Sequence, residues 1–166
     1  MNRDELRALQ APLKQRYRDD PASAVVVLKA EGRLGEGVSC RVDTGRTLVE
    51  AGLHPSTGGS GLQACSGDML LQALIACAGV TLGAVATSLG VSVRDGTLTA
   101  ECDFDPRGTL GVDKNAPVGV RNIRLRIALD SDATPEQEQK LIELTERYCV
   151  VYQTLKNGAD VVMSVA

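Results

Sequence analysis

Residues 69–93 read MLLQALIACAGVTLGAVATSLGVSV, and no charged side chain interrupts them. A run of this length is enough to cross a bilayer, and Gly79 and Gly83 have the spacing of a membrane-helix dimerisation motif. Other features point away from a membrane. Gln72, Thr81, Thr87 and Ser88 break the run, many of its apolar residues are Ala, and Gly90 ends the helical pattern early. No basic cluster stands beside it to set an orientation. The segment therefore reads as a core helix from about Asp68 to Leu89, covered by protein on nearly all sides. The Gly79/Gly83 notch would let another helix approach closely.

Reading outward, strands flank this helix on both sides. Upstream, Val25–Leu28 within Ser23–Lys29 suits a strand covered on both faces, and Gly32–Gly37 reads as a hairpin turn. Val38, Cys40 and Val42 then alternate with polar residues, and Thr44-Gly45-Arg46 turns into a short strand at Thr47–Glu50. Residues 51–67 are rich in Gly and Ser and read as a mobile connection; no Gly-Lys-Ser/Thr follows to make them a phosphate loop.

Downstream, Leu98, Ala100, Cys102 and Phe104 keep one alternating phase. Val118 and Val120 precede Ile123, Leu125, Ile127 and Leu129 in the opposite phase, so a bulge is expected near Arg121-Asn122. Thr134-Pro135-Glu136-Gln137 is a capping box with Pro at the first helical position. The helix it opens continues through Tyr148, Val151 and Leu155 to Asn157-Gly158, and Val161, Met163 and Val165 make a last strand. At the N-terminus, Leu6, Leu9, Leu13 and Tyr17 mark an amphipathic helix capped by Asn2 and Glu5, with Pro12 kinking or dividing it. The order is α-βββ-α-ββ-α-β: an α+β chain with residues 1–20 as a helical arm and 21–166 as one domain.

Composition narrows the function. The 166 residues carry 18 basic and 21 acidic side chains, a net charge of −3, which gives no electrostatic footprint for nucleic acid. The aromatics are Tyr17, Phe104, Tyr148 and Tyr152, with no Trp, so stacking platforms for bases or sugars are lacking. The first ten residues are charged and lack an apolar core, unlike a secretory signal. Five cysteines are too few for a disulfide scaffold. The expected setting is a reducing cytoplasm.

The single histidine, His54, lies far along the chain from any convincing nucleophile, and neither CxxC nor HExxH occurs. No metal or cofactor is expected. Thiol chemistry remains. Cys40 and Cys102 fall on the apolar phase of strands, as small hydrophobic filler does. Cys65 lies just before a helix start, where unpaired N–H groups favour a thiolate. Cys77 is midway along the core helix and Cys149 is near the end of the amphipathic one. The residues alone leave inert thiols and a redox pair evenly open.

Two motifs resemble the osmotically inducible protein C/organic hydroperoxide resistance (OsmC/Ohr) family. Gly67-Asp68-Met69-Leu70-Leu71-Gln72-Ala73-Leu74-Ile75-Ala76-Cys77 is similar to its central-helix signature, Pro-x-Glu-Leu-Leu-x-Ala-Leu-x-x-Cys. Arg147-Tyr148-Cys149-Val150-Val151-Tyr152-Gln153-Thr154-Leu155, followed by Asn157-Gly158, is similar to its second, in which Pro often follows the Cys. The element order agrees over about residues 22–166.

The resemblance implies an intertwined homodimer, two β-meanders wrapped around buried central helices, and a cysteine peroxidase that reduces organic hydroperoxides to alcohols. In that reading Cys77 becomes a sulfenic acid, Cys149 condenses with it to a disulfide, and an external dithiol restores both. A cation and an acid hold the thiolate; the matching residues are Arg33 and Asp68. Gly67 stands where one branch carries Glu, and Val150 stands where Pro is usual. These departures motivate an alternative, a non-catalytic dimer that binds a small apolar or oxidised ligand. A third reading makes Cys65 the functional thiol, about 18 Å from Cys77 along a straight helix. Homodimer, hydroperoxide and dithiol are the expected partners, with neither nucleic acid nor membrane.

Overall fold

A computed structural model describes residues 2–20, 31–34, 39–43 and 48–165. Helix α1 (Arg3–Asp19) opens with a reciprocal cap: Asn2 N–H donates to Glu5 Oε2 at 2.9 Å, and Glu5 N–H donates to Asn2 Oδ1 at 2.9 Å. Pro12 does not divide it. Strands β1 (Glu31–Leu34), β2 (Ser39–Asp43) and β3 (Leu48–Gly52) form an antiparallel meander, which β4 (Ala64–Cys65) extends in parallel with β3. The expected strand at Ser23–Lys29 and the turn at Thr44–Arg46 lie outside the described residues.

Two upstream expectations are corrected. Gly32–Leu34, read as the start of the turn Gly32–Gly37, belongs to the strand Glu31–Leu34, whose backbone pairs with Asp43–Cys40. The 51–67 connection is ordered: a 3-10 turn at Pro55–Thr57 is capped by His54, and Ala64 pairs with Ala51. Its glycines serve specific turns. Gly58 closes the 3-10 turn at φ 94°, a conformation that disfavours any side chain.

Helix α2 (Ser66–Leu89) follows, then β5 (Val93–Asp103), the short α3 (Pro106–Thr109), β6 (Arg121–Ser131), α4 (Pro135–Tyr148) and α5 (Val150–Asn157). Strands β5 and β6 pair as a two-stranded sheet. Contacts from Ser92 to Asp132, Arg94 to Asp130 and Asp103 to Asn122 run in opposite senses, so the pair is antiparallel. The predicted alternation is present: Leu98, Ala100, Cys102, Ile123, Leu125, Ile127 and Leu129 turn inward while their neighbours face solvent. The expected run through Val118 and Val120 does not form, because β6 begins at Arg121 and both residues lie outside it; Phe104 likewise lies beyond β5 and is exposed. Asn122 adopts φ 50°, and its amide donates to Asp103 at 2.7 Å.

The chain divides into two compact units: Met1–Ala24, Ala73–Thr99 and Arg126–Ala166 form one, and Val25–Gln72 with Ala100–Leu125 form the other. In the first unit, Leu82, Val85, Ala86, Val91 and Leu141 form the core, with Leu89, Val93, Ile127, Leu129, Ala133 and Leu144 packed on it.

Helix α2 is long and apolar enough to cross a membrane. It is covered on one face rather than on nearly all sides. Leu74, Ala78, Leu82, Val85 and Ala86 are buried, whereas Ala73, Ala76, Val80 and Gly83 are exposed, Val80 by 77%. The exposed face is made mostly of Ala and Gly, which offer little surface for a core to close on. At the glycine notch the neighbour of Gly79 is Leu98 of β5, not a helix, and nothing stands within 4 Å of a side chain built at Gly83.

The C-terminal third differs most from expectation. The capping box forms as read, with Thr134 Oγ1 accepting from Gln137 N–H at 3.3 Å and Gln137 Oε1 accepting from Thr134 N–H at 2.9 Å. The helix does not run on to Asn157, however; it breaks at Cys149, whose backbone is extended at φ −73°, ψ 110°. The last strand is also absent: residues 158–165 form no regular element, and Val161, Val162, Met163 and Val165 are almost wholly exposed. An alternating apolar segment becomes a strand only when an edge accepts its hydrogen bonds.

Candidate active site

The break at Cys149 determines what the site can do. Cys149 N–H donates to the Thr145 carbonyl at 2.9 Å, ending α4, and its own carbonyl accepts from Gln153 N–H at 2.9 Å, starting α5. Its side chain is fully buried, at 0% exposure. Cys77, midway along α2 and half-buried, belongs to the same unit and touches it, the Cys149 thiol donating to the Cys77 sulfur.

Their environments push the two thiols apart. Burial pushes the Cys77 thiol up, but the N–H of Val151, the Cys149 thiol, the N–H of Val150 and the Thr81 hydroxyl outweigh it. Together they hold Cys77 below the ordinary 9.0. For Cys149 burial dominates and pushes the thiol up. The Cys77 sulfur raises it further, while the N–H groups of Tyr152 and Val151 only partly offset the rise. The two shifts run in opposite directions, and the lowered one marks Cys77 as the better nucleophile of the pair.

The remaining sequence candidates belong to the other unit. Arg33 lies in β1, where its backbone pairs opposite Arg41. Asp68 is exposed in the first turn of α2. It lines a cavity of ≈ 970 Å³ together with Cys65, His54, Cys102, Phe104 and Leu70. His54 is held at Nδ1 by the Ser56 N–H at 3.1 Å and the Ser56 hydroxyl at 2.7 Å, and its ring meets Phe104 edge-on at 6.2 Å between centroids. Among the described residues, no three His, Cys, Asp or Glu side chains group as metal ligands. Cys77 and Cys149 are therefore the two predicted residues that come together within one unit.

Sequence reading missed Thr81 and the first N–H groups of α5. Thr81 was findable, since a residue four beyond Cys77 shares its helix face. The start of α5 was not, because Val150 carries no helix-start signal.

A family model described as OsmC-like protein matches residues 59–164. The chain belongs to the OsmC-like protein family. In this OsmC-like chain the matched region holds Asp68, Cys77, Thr81 and Cys149, while Arg33 lies upstream of it.

Solved structures share the fold at low identity. An OsmC-like protein from Mycoplasma pneumoniae is 16% identical, with a TM-score of 0.67 over 80% of this chain and 89% of the other. A structure described as an organic hydroperoxide resistance protein from Legionella pneumophila is 16% identical, with a TM-score of 0.57 over 82% and 94%. The organic hydroperoxide resistance protein OhrB of Bacillus subtilis is 17% identical, with a TM-score of 0.56 over 82% and 96%. No curated protein sequence matches the chain.

Proposed function

We propose that this OsmC-like chain is a cytoplasmic, thiol-dependent peroxidase of organic hydroperoxides. The observation that carries the reading is that the Cys77 and Cys149 thiols lie in one unit and act on each other, Cys77 lowered and Cys149 raised from the ordinary thiol value. In the reaction the Cys77 thiolate attacks the distal oxygen of the peroxide, forming the S–O bond as the O–O bond breaks. The alkoxide takes a proton and leaves as the alcohol. Cys149 then attacks the Cys77 sulfenic acid, forming the disulfide and releasing water, and an external dithiol reduces it by exchange. Arg33 and Asp68 complete the proposal as the cation and acid that support the thiolate, and Arg33→Ala and Asp68→Asn test them.

The working form in this proposal is a homodimer. Support comes from the exposed α2 face, Ala73, Ala76, Val80 and Gly83, and from the exposed apolar tail Val161–Val165, which suits a sheet edge on a second copy.

The test is peptide mapping after one equivalent of tert-butyl hydroperoxide. A Cys77–Cys149 disulfide is expected in the wild type, with a trappable sulfenic acid on Cys77 in Cys149→Ser. Unmodified Cys77 in both would overturn the reading. The ≈ 970 Å³ cavity favours a second reading, a non-catalytic binder of small apolar ligands. That reading requires no peroxide consumption with any dithiol.

A further inference from the structure

The corner between α4 and α5 is built around Cys149, and a residue farther along the chain ties it. A helix leaves its last carbonyls without partners of its own. In an unbroken helix the Glu146 carbonyl would accept from the N–H of Val150, four residues on. After the break at Cys149 it accepts instead from the side chain of Gln153, whose Nε2 donates at 2.7 Å. The backbone N–H of Gln153 donates to the Cys149 carbonyl at 2.9 Å. One residue therefore holds both sides of the corner, the last turn of α4 by its side chain and Cys149 by its backbone. Cys149 itself, at the N-cap of α5, adds no side-chain cap.

The orientation of the Gln153 amide is set as well. A carbonyl only accepts, so the amide nitrogen must face Glu146. The amide oxygen is then turned to Asn157, whose Nδ2 donates to it at 2.8 Å. Gln153 and Asn157 stand four apart on α5 and so share a face. Asn157, which the sequence marks only as a helix stop, thus begins a relay of two amides that runs from the end of α5 back to α4. The whole relay belongs to the unit that carries Cys77 and Cys149. We propose that Gln153, oriented by Asn157, is a positioning residue for Cys149: it holds the α4–α5 corner so that the buried thiol is delivered to the Cys77 sulfur when the disulfide closes. The proposal rests on the peroxidase reading, and Gln153 acts in it only through Cys149.

The test treats the reduced full-length chain with one equivalent of tert-butyl hydroperoxide in the presence of dimedone. Peptide mapping then compares the dimedone adduct on Cys77 with the Cys77–Cys149 disulfide. Their ratio reports only the fate of the sulfenic acid once formed, so it does not depend on how fast Cys77 is oxidised. Gln153→Ala is expected to raise the ratio about five-fold, the worth of one hydrogen bond. Gln153→Lys, which keeps a donor at the end of the side chain, should return it toward the wild-type value. Thr134→Ala removes a stabilising bond at the far end of α4 and should leave the ratio in place.

A folded Gln153→Ala with the wild-type ratio would overturn the proposal, as would an equal rise in Thr134→Ala. If Gln153→Ala fails to fold, Asn157→Ala decides: a raised ratio supports the relay and an unchanged one rejects it. A parallel arm closes the same disulfide with diamide, which takes the two electrons and two protons of the thiol pair and needs no peroxide. Slower closure in Gln153→Ala, in a chain that consumes no tert-butyl hydroperoxide, would uphold the positioning role and reject the peroxidase. A wild type that closes no Cys77–Cys149 disulfide with either oxidant would overturn both.

Discussion

Leu141 is the residue whose truncation tests most directly how the thiol-bearing helices are held together. It is 0% exposed on α4 and packs in one cluster with Leu82, Val85 and Ala86 of α2 and with Val91. Leu141→Ala removes three carbons from that cluster. The lost transfer energy is about 2 kcal/mol, and the unfilled volume adds to it. Truncations of this kind span ~2–5 kcal/mol according to how far the site collapses. Surrounding helix and strand backbone resists collapse here, so a cost of about 3–4 kcal/mol is expected.

For a chain of this size that lowers Tm by roughly 6–15 °C. Urea unfolding followed by circular dichroism reads it, at fixed protein concentration because association shifts apparent stability. Leu144→Ala is the internal comparison. Leu144 packs on the same cluster but is only partly buried, and its truncation should cost about half as much. Equal costs at the two positions, or a Leu141→Ala cost below about 1 kcal/mol, would refute this account of the core.

Four further outcomes are expected. Cys77 is depressed, so its alkylation rate should level off below pH 9.0, while the rate for Cys149, which is raised, keeps climbing above it; the order of the two plateaus in peptide-resolved profiles is the readout. By linkage, Cys77 adds stability that is full above 9.0 and lost as pH falls through its folded value, and Cys149 does the reverse, losing its contribution as pH rises through its own. Thr134→Ala removes half of the capping box and should cost about 1 kcal/mol in urea unfolding, which Thr134→Ser largely restores. The Arg107 guanidinium and N–H hold the Asp105 carboxyl down at about 2, so Arg107→Ala should move its NMR titration up toward 3.8. Val80→Asp on the exposed face of α2 should convert the proposed dimer to monomers on a light-scattering column, and an unchanged mass would reject that face as the interface.

Periodic features are legible in the residues themselves. The inward phases of β5 and β6 follow from side chains alternating across a strand, and the capping boxes at Asn2 and Thr134 follow from bonds within four residues. The bulge expected near Asn122 is not, because Val118 and Val120 prove to lie outside β6. Two motifs carry the family, and the thiol pair comes from that resemblance, since composition leaves inert and redox cysteines level.

Other features depend on distant partners. Whether Val161–Val165 is a strand depends on an edge outside its own sequence, and Glu31–Leu34 is a strand because Cys40–Asp43 pairs with it. The break at Cys149 has no Gly or Pro to announce it.

The amino-acid sequence alone determined the apolar central helix, the alternating strands and the family to which they belong, because these rest on spacing within short windows. Tertiary structure alone decided that the α4–α5 break falls at Cys149, and which groups surround its thiol and that of Cys77. Those contacts join residues about seventy positions apart in the chain, and a thiol's acidity depends on which dipoles surround it after folding.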